Sequence, residues 1–488
     1  MPIAAAPQTG ETPGRCANPA RFDVFTATFA AASILLLVLL HARNLLDSDE
    51  GVILNGAWNL LNDRRLYTDF FEFLAPGSFY LVLAAWKVFG SSFWVAKCIG
   101  ITSLVVAAFG VHRIGELVLG VRTRRMDRNL LAASTVLFCI YSGYSPAINH
   151  NTFHLPLAVW STYFAVRALQ QGNWRMYAVG GLLAGTCMWL LQHRAVVMAA
   201  ATLVAFLALG RGTARSASLW GSTAYLLAFL IPVAALLFCW SPSVLLENLI
   251  VFPATRYAEV NVMKPTLFLF SASLVVGAAW LLRRAGATVS LLLALQAALL
   301  LSVLHRADLS HVTSALFPLL ALIPLLLRPM SPVMVQAFQL WIAAGMLALT
   351  VPLFTFLSIN PEVFFANWSR HPALEFVRER CGASPYLYAG PFAPGLYYET
   401  RRLNPTRYSI LLTRLHTDEQ FVDARADLQA QQPPCVITHY AMAEKFRYTT
   451  ENPVDVWISA NYDPVFELRG RQVWMAKHGD ASARTPER

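Results

Sequence analysis

The segment Phe25–Leu40 reads FTATFAAASILLLVLL and leads, through His41-Ala42-Arg43-Asn44-Leu45-Leu46, into Asp47-Ser48-Asp49-Glu50. An uncharged apolar run of this kind reads as a membrane helix when runs like it recur. They do, over 23–42, 94–119, 129–146, 153–169, 175–191, 194–210, 218–240, 266–283, 287–304, 312–327 and 333–357. The chain is 56% hydrophobic and only 14% charged, where soluble domains carry about a quarter charged residues. The fold class is therefore an α-helical polytopic membrane protein, and the bilayer is its first partner. The net charge of +10 does not point to nucleic acid. The arginines fall in short clusters between apolar runs, as in loops that face anionic lipid, and no RNA-binding motif is present.

Loop charge sets the threading. Gly77 to Gly90 is apolar but short and carries Lys87. If it lies at the interface and does not cross, the arginine-rich loops at 122–128, 167–175, 211–215, 283–284 and Arg328 all fall on the side of the N-terminus, which the positive-inside rule makes cytoplasmic. The expectation is about eleven spanning helices. Residues 1–20 read as a disordered cytoplasmic tail, 21–357 as the transmembrane domain and 358–488 as a small α/β extracytoplasmic domain. The run at 25–40 has no small-x-small cleavage site after it, so it reads as a retained helix rather than a signal peptide. In the tail, Tyr386–Ala389 and Cys435–His439 read as buried strands, Asp418–Gln431 as a helix and Phe466–Ala476 as a hairpin. Cys381 and Cys435 are either a disulfide on the oxidising side or two buried thiols. No cysteine pattern suggests a metal site.

This threading gathers the polar loops on the outer face. Asp47, Asp49 and Glu50 are costly just past a membrane helix unless they face water or a task. They suit a general base with an orienting partner, while Asp49 as helix cap and Glu50 in the first turn is the structural alternative. Asp69 and Glu72 sit among aromatics in Tyr67–Gly77; they read as a substrate-binding wall or as solvated acids in an interfacial belt. His150, Asn151 and His154 on the next outer turn can contact a substrate or satisfy a helix end. A two-histidine metal hint is weaker than either. Gln192-His193-Arg194 and Arg256-Tyr257 are further substrate-binding candidates, with tight interhelical turns as the alternative. His305-Arg306-Ala307-Asp308-Leu309-Ser310-His311 joins two apolar runs. An Arg fork flanked by His305, His311 and Asp308 suits phosphate oxygens, and the bland alternative is an Arg306–Asp308 pair.

Ser48-Asp49-Glu50-Gly51, the downstream Tyr67-Thr68-Asp69 and Pro76-Gly77, together with many spans, polar outer loops and an outer C-terminal domain, resemble the GT-C glycosyltransferases. The short motifs are similar to the dolichyl-phosphate-mannose protein mannosyltransferase and lipid A aminoarabinose transferase group. The resemblance implies a GT-C fold and inverting transfer of a sugar from a polyprenyl-phosphate donor to a glycan, lipid or protein acceptor at the outer face of a bacterial inner membrane, which would place the C-terminal domain in the periplasm. Asp49 matches the family's first-loop catalytic Asp. Many relatives carry a second acid in the next outer loop, where this chain has Asn149-His150-Asn151, so use of a divalent metal, Mg or Mn, stays open. Two other readings compete. A transporter or flippase for a lipid-linked glycan would show internal repeats and mid-span charges, and neither is evident. An assembly subunit would have less use for dispersed outer-loop Arg and His.

Overall fold

The computed structural model describes residues 24–41, 48–120, 125–142, 145–210, 215–257, 265–331, 333–337, 339–341, 344, 372–382, 384–468 and 471–477. Asp47, the tail expected over 1–20 and most of the run expected over 333–357 lie outside the described residues.

The N-terminal two thirds are helical: α1 (Val24–His41), α2 (Ser48–Leu61), α3 (Gly77–Phe89), α4 (Phe93–Leu119), α5 (Arg125–Ser142), α6 (His150–Gln171), α7 (Trp174–Cys187), α8 (Gln192–Leu209), α9 (Arg215–Cys239), α10 (Pro242–Leu246), α11 (Pro265–Leu281), α12 (Ala287–Ser302), α13 (Leu309–Ala315) and α14 (Phe317–Leu327). Sequence punctuation sets their ends. Ser92, Asn149 and Asn173 accept hydrogen bonds from the first-turn amides of α4, α6 and α7, while Gly120 and Gly172 take the positive φ that closes α4 and α6. Three described helices are long and apolar enough to cross a membrane: Phe93–Leu119, Gln192–Leu209 and Ser218–Cys239. The 13 residues of α3 rise about 20 Å, short of a hydrocarbon core of about 30 Å.

Helices α4, α6, α7 and α9 pack in succession, around a core that includes Leu104, Val111, Val159, Val166 and Phe206. The outward side is apolar as well: Trp220, Ile231 and Phe238 are 74%, 63% and 93% exposed. An apolar exterior over an apolar core is the pattern of a helix bundle in lipid. At one end of the bundle fully buried Asp127 of α5 meets Arg328 after α14, at 3.5 Å. The turn 145–149 and the loop 304–308 lie at the opposite ends of the helices they flank.

The C-terminal third contains α15 (Pro372–Arg380), β1 (Tyr388–Gly390), α16 (Gly395–Thr400), α17 (Asp418–Gln431), β2 (Cys435–Thr438), α18 (Tyr440–Ala443), α19 (Pro453–Asn461), β3 (Tyr462–Leu468) and β4 (Arg471–Ala476). The strands form one sheet in the order β1-β2-β4-β3, parallel between β1 and β2 and antiparallel elsewhere. A full capping box, Thr417 with Gln420, starts α17. Cys381 and Cys435 form a disulfide that ties the end of α15 to β2. This region docks on the first polar loop: Trp58 Nε1 donates to the Arg402 carbonyl at 3.0 Å and the Phe71 amide to the Arg407 carbonyl at 2.7 Å. Gly51 lies against the backbone of Gly395, where a Cβ would collide, so α2 and α16 touch at the start of α2.

Candidate active site

The first turn of α2 carries Asp49 and Glu50, where carboxylates complement the amide-rich end of a helix. The two differ in surroundings. Glu50 is 3% exposed. Its Oε1 accepts from Lys97 Nζ of α4 at 2.8 Å and from the Ile148 amide at 3.2 Å. Gly100 of α4 sits against the Ala147 carbonyl with no room for a side chain. Three segments therefore meet at Glu50, and its carboxylate is occupied in holding them. Asp49, about 100° away around the helix, is half-buried. Lys97→Met leaves the buried Glu50 charge unpaired and is expected to destabilise the protein by about 3–5 kcal/mol. Adding Glu50→Gln should recover most of that, as read by chemical unfolding in detergent. Equal stability of the single and double variants would deny the pair its structural role.

The turn that receives Glu50 continues into the second set of candidates. Asn149 Oδ1 accepts from the Asn151 amide at 2.8 Å and from Asn151 Nδ2 at 3.0 Å. Asn151 Nδ2 lies 3.1 Å from His150 Nε2, and His154 Nδ1 lies 2.6 Å from the Asn151 carbonyl. At the start of the same turn Ser145 Oγ is 3.0 Å from Ser310 Oγ, which joins it to the loop before α13. There Asp308 caps α13. One oxygen takes the His311 amide at 3.0 Å and His311 Nδ1 at 2.7 Å; the other takes Arg306 Nε at 3.1 Å. Burial alone would raise the Asp308 pKa, but the hydrogen bonds and charges of His311 and Arg306 hold it well below the carboxylate range. The Arg306 guanidinium also lies over the Tyr257 ring, 5.5 Å from its centroid. From α8, fully buried Arg194 donates to Ser314 Oγ at 2.7 Å and to the His311 carbonyl at 3.1 Å.

His193, Arg194, Arg306 and His311 are all close enough to His150 to act on it electrostatically. Residues from three expected outer loops thus converge. Within this group Asn151 Oδ1, His154 Nε2 and Arg194 Nε are buried without a hydrogen-bond partner among the described residues, which calls for a ligand or water. The side chain of His305 lies outside the described set. Gln192 binds the Leu249 carbonyl at 3.0 Å, and Arg256 and Tyr257 end a π-helical segment, Pro253–Tyr257.

The remaining two acids have partners inside the chain. Asp69 is held at the surface by Arg65, at 2.9 Å. Glu72 is 2% exposed and bonds to the Ser409 hydroxyl; burial pushes its pKa up to about 8, against the smaller effect of that hydroxyl. The folded protein then keeps a proton that the unfolded chain loses above its own carboxyl pKa. Stability from Glu72 is full below about 4.5, falls as pH rises to about 8 and is level above that. The expected loss is on the order of 5 kcal/mol. Glu72→Gln should flatten this part of the thermal-unfolding profile between pH 5 and 8; an unchanged slope would assign it to another group. Phe71, Phe73, Phe252 and Tyr257 pack edge to face or tilted nearby, so the aromatics of the first loop form a wall between it and the segment after α9.

A cavity of about 1050 Å³ opens between α3, α4, α6 and α7, lined among others by Trp94, Ile99, Phe153, Pro156, Leu157 and Trp189. Its lining is almost wholly apolar. Phe153 and Leu190 place it beside His154 and Gln192 in sequence.

The sequence reading passed over Lys97, Ser310, Ser314 and Ser409. Only Lys97 carried a signal: a lysine in an apolar run needs a carboxylate. Among the described residues no three or more His, Cys, Asp and Glu side chains are grouped to hold a metal ion.

Residues 74–238 match the model of the dolichyl-phosphate-mannose-protein mannosyltransferase family. No curated protein matches the chain by sequence. Among solved structures, the crystal structure of ArnT from Cupriavidus metallidurans bound to undecaprenyl phosphate is similar with a TM-score of 0.62 and 12% identity, covering 95% of this chain and 99% of that one. The apo state of the same protein gives 0.58 at 12% identity, over 92% and 97%. The Archaeoglobus fulgidus oligosaccharyltransferase, in complex with Zn and sulfate, gives 0.53 at 12% identity, over 92% and 73%. At such identity the likeness is one of fold. The resemblance to the GT-C glycosyltransferases is borne out.

Proposed function

We propose, for a chain with the fold of the GT-C glycosyltransferases, that it transfers a sugar from a polyprenyl-phosphate donor to a cell-envelope acceptor at the outer face of a bacterial inner membrane. The observation that carries this reading is the turn 145–151. One part of it is held by Glu50, the neighbour of Asp49, and its ends meet the Arg306–Asp308–His311 loop and the His150 cluster. A carboxylate and a basic, partly unsatisfied pocket are the two things such a transfer needs.

In this mechanism the acceptor oxygen attacks the anomeric carbon while its proton passes to Asp49. The bond from that carbon to the phosphate oxygen breaks, and the electron pair stays on the phosphate. Because phosphate leaves readily, no general acid is required. Arg306, with Arg194 behind it, stabilises the charge that develops. Attack opposite the leaving group inverts the anomeric centre. The apolar cavity between α3, α4, α6 and α7 suits the polyprenyl tail. Glu50 and Lys97 position α2 and take no proton. About eleven spans, a membrane region over 21–357 and an outer region over 358–488 complete the reading. The disulfide between Cys381 and Cys435 supports an oxidising compartment for the latter.

The test is purified protein in lipid nanodiscs with a panel of radiolabelled polyprenyl-phosphate sugars. Consumption of one donor with release of polyprenyl monophosphate is expected. A folded protein that consumes none of them rejects the transferase reading and favours transport of a lipid-linked glycan.

A further inference from the structure

Asp308 accepts three hydrogen bonds and stays ionised, so it can only accept from the His311 ring. That fixes one ring proton on Nδ1 and leaves Nε2 as the position where His311 gains or loses a proton. Among the described residues, the charged and titratable groups that act on this ring are Arg306 and Asp308 on its own loop and Arg194 from α8, with His150 of α6 coupled to it electrostatically. Helices α11, α12 and α14 contain no titratable side chain, and α5 brings only Cys139 and Tyr141 at its nearer end. Two guanidinium groups against one carboxylate leave the loop short of negative charge. Burial, then the two arginines, lower the pKa of the ring even though Asp308 raises it. Such a ring presents a lone pair at Nε2 near neutral pH and takes a proton when enough negative charge arrives beside it.

The transfer proposed above delivers that charge. The donor is a phosphodiester with one negative charge; the product is a monoester whose second ionisation is near pH 6. We propose, resting on that reading, that the Asp308–His311 pair takes up one proton at Nε2 as the leaving phosphate gains its second negative charge, so that product is held as an imidazolium–dianion pair and donor meets a neutral ring. The balance closes. The acceptor proton goes to Asp49 and then to water, the electron pair of the broken bond stays on the phosphate, and the proton at Nε2 comes from water and returns when the monophosphate leaves. The pair thereby distinguishes product from donor by charge, using a residue that the bare clamp of Arg306 does not need.

Calorimetric titration of wild type in nanodiscs at pH 7.5, in two buffers of different ionisation enthalpy, reads the proton directly. Undecaprenyl monophosphate is expected to bind with uptake approaching one proton, and an undecaprenyl methyl phosphodiester with almost none. His311→Gln should take up none with either lipid, weaken monophosphate binding about tenfold and leave diester binding within about threefold. A wild type that binds both lipids without proton uptake overturns the dyad and leaves the transferase reading standing. A His311→Gln protein that keeps the uptake also overturns it. A folded wild type that binds neither phosphate removes the phosphate site and the dyad together.

Discussion

Asp49→Asn is expected to lower single-turnover sugar transfer by about 10³-fold or more, with the thermal unfolding temperature unchanged within a few degrees. General base catalysis accounts for about 10²–10⁴ of such a rate, and an asparagine of the same shape keeps the helix-start contacts while losing the proton acceptor. The neighbouring carboxylate cannot stand in. Glu50 is buried on Lys97 and the Ile148 amide, and freeing it would break the junction of α2, α4 and the 145–149 turn. Asp49→Glu should be damaged less than Asp49→Asn, since the base survives but is displaced by a methylene. Transfer within threefold of wild type in Asp49→Asn would remove Asp49 from the chemistry.

Arg306→Ala carries the second large effect. The guanidinium is anchored through Nε to Asp308 and rests on Tyr257, so its outer edge is preorganised for an anion at little entropic cost. Loss of one such donor typically costs about 10²–10³ in rate, and kcat/KM should fall by that amount. Arg306→Lys should restore part of it, because charge is kept but the fork is not. Arg194 is a poorer probe: it is fully buried and bonded to Ser314 and the His311 carbonyl, so its removal leaves acceptors unpaired as well as deleting charge. Wild-type kcat/KM in Arg306→Ala would move the phosphate elsewhere.

The helices were legible because each apolar run must satisfy its own backbone in lipid. Ends were less so: α6 begins at His150, earlier than the run expected from 153, because Asn149 caps it. The short apolar run Gly77–Gly90 is a helix of 13 residues, Gly77–Phe89. In the tail, the buried apolar run at Cys435 and the hairpin read over Phe466–Ala476 were legible, although its first strand starts earlier, at Tyr462; the order β1-β2-β4-β3 was not, since it depends on pairings between distant segments. The same limit applies at the site. His311 and Asp308 are three residues apart and their pairing can be guessed; Glu50 with Lys97, Arg194 with Ser314 and Glu72 with Ser409 are 47, 120 and 337 residues apart. Charge placement in the sequence marked the loops. It did not show that Glu50 and Glu72 would be used inside the fold while Asp49 stayed near the surface.

The most direct measurement is a cryo-electron microscopy structure of Asp49→Asn in nanodiscs with the polyprenyl-phosphate sugar that wild type consumes. Density should place the phosphate against Arg306 and His311, the anomeric carbon facing residue 49 and the polyprenyl tail in the cavity lined by Trp94, Phe153 and Trp189. A phosphate bound away from Arg306, or a sugar on the far side of the 145–151 turn from residue 49, would contradict the account.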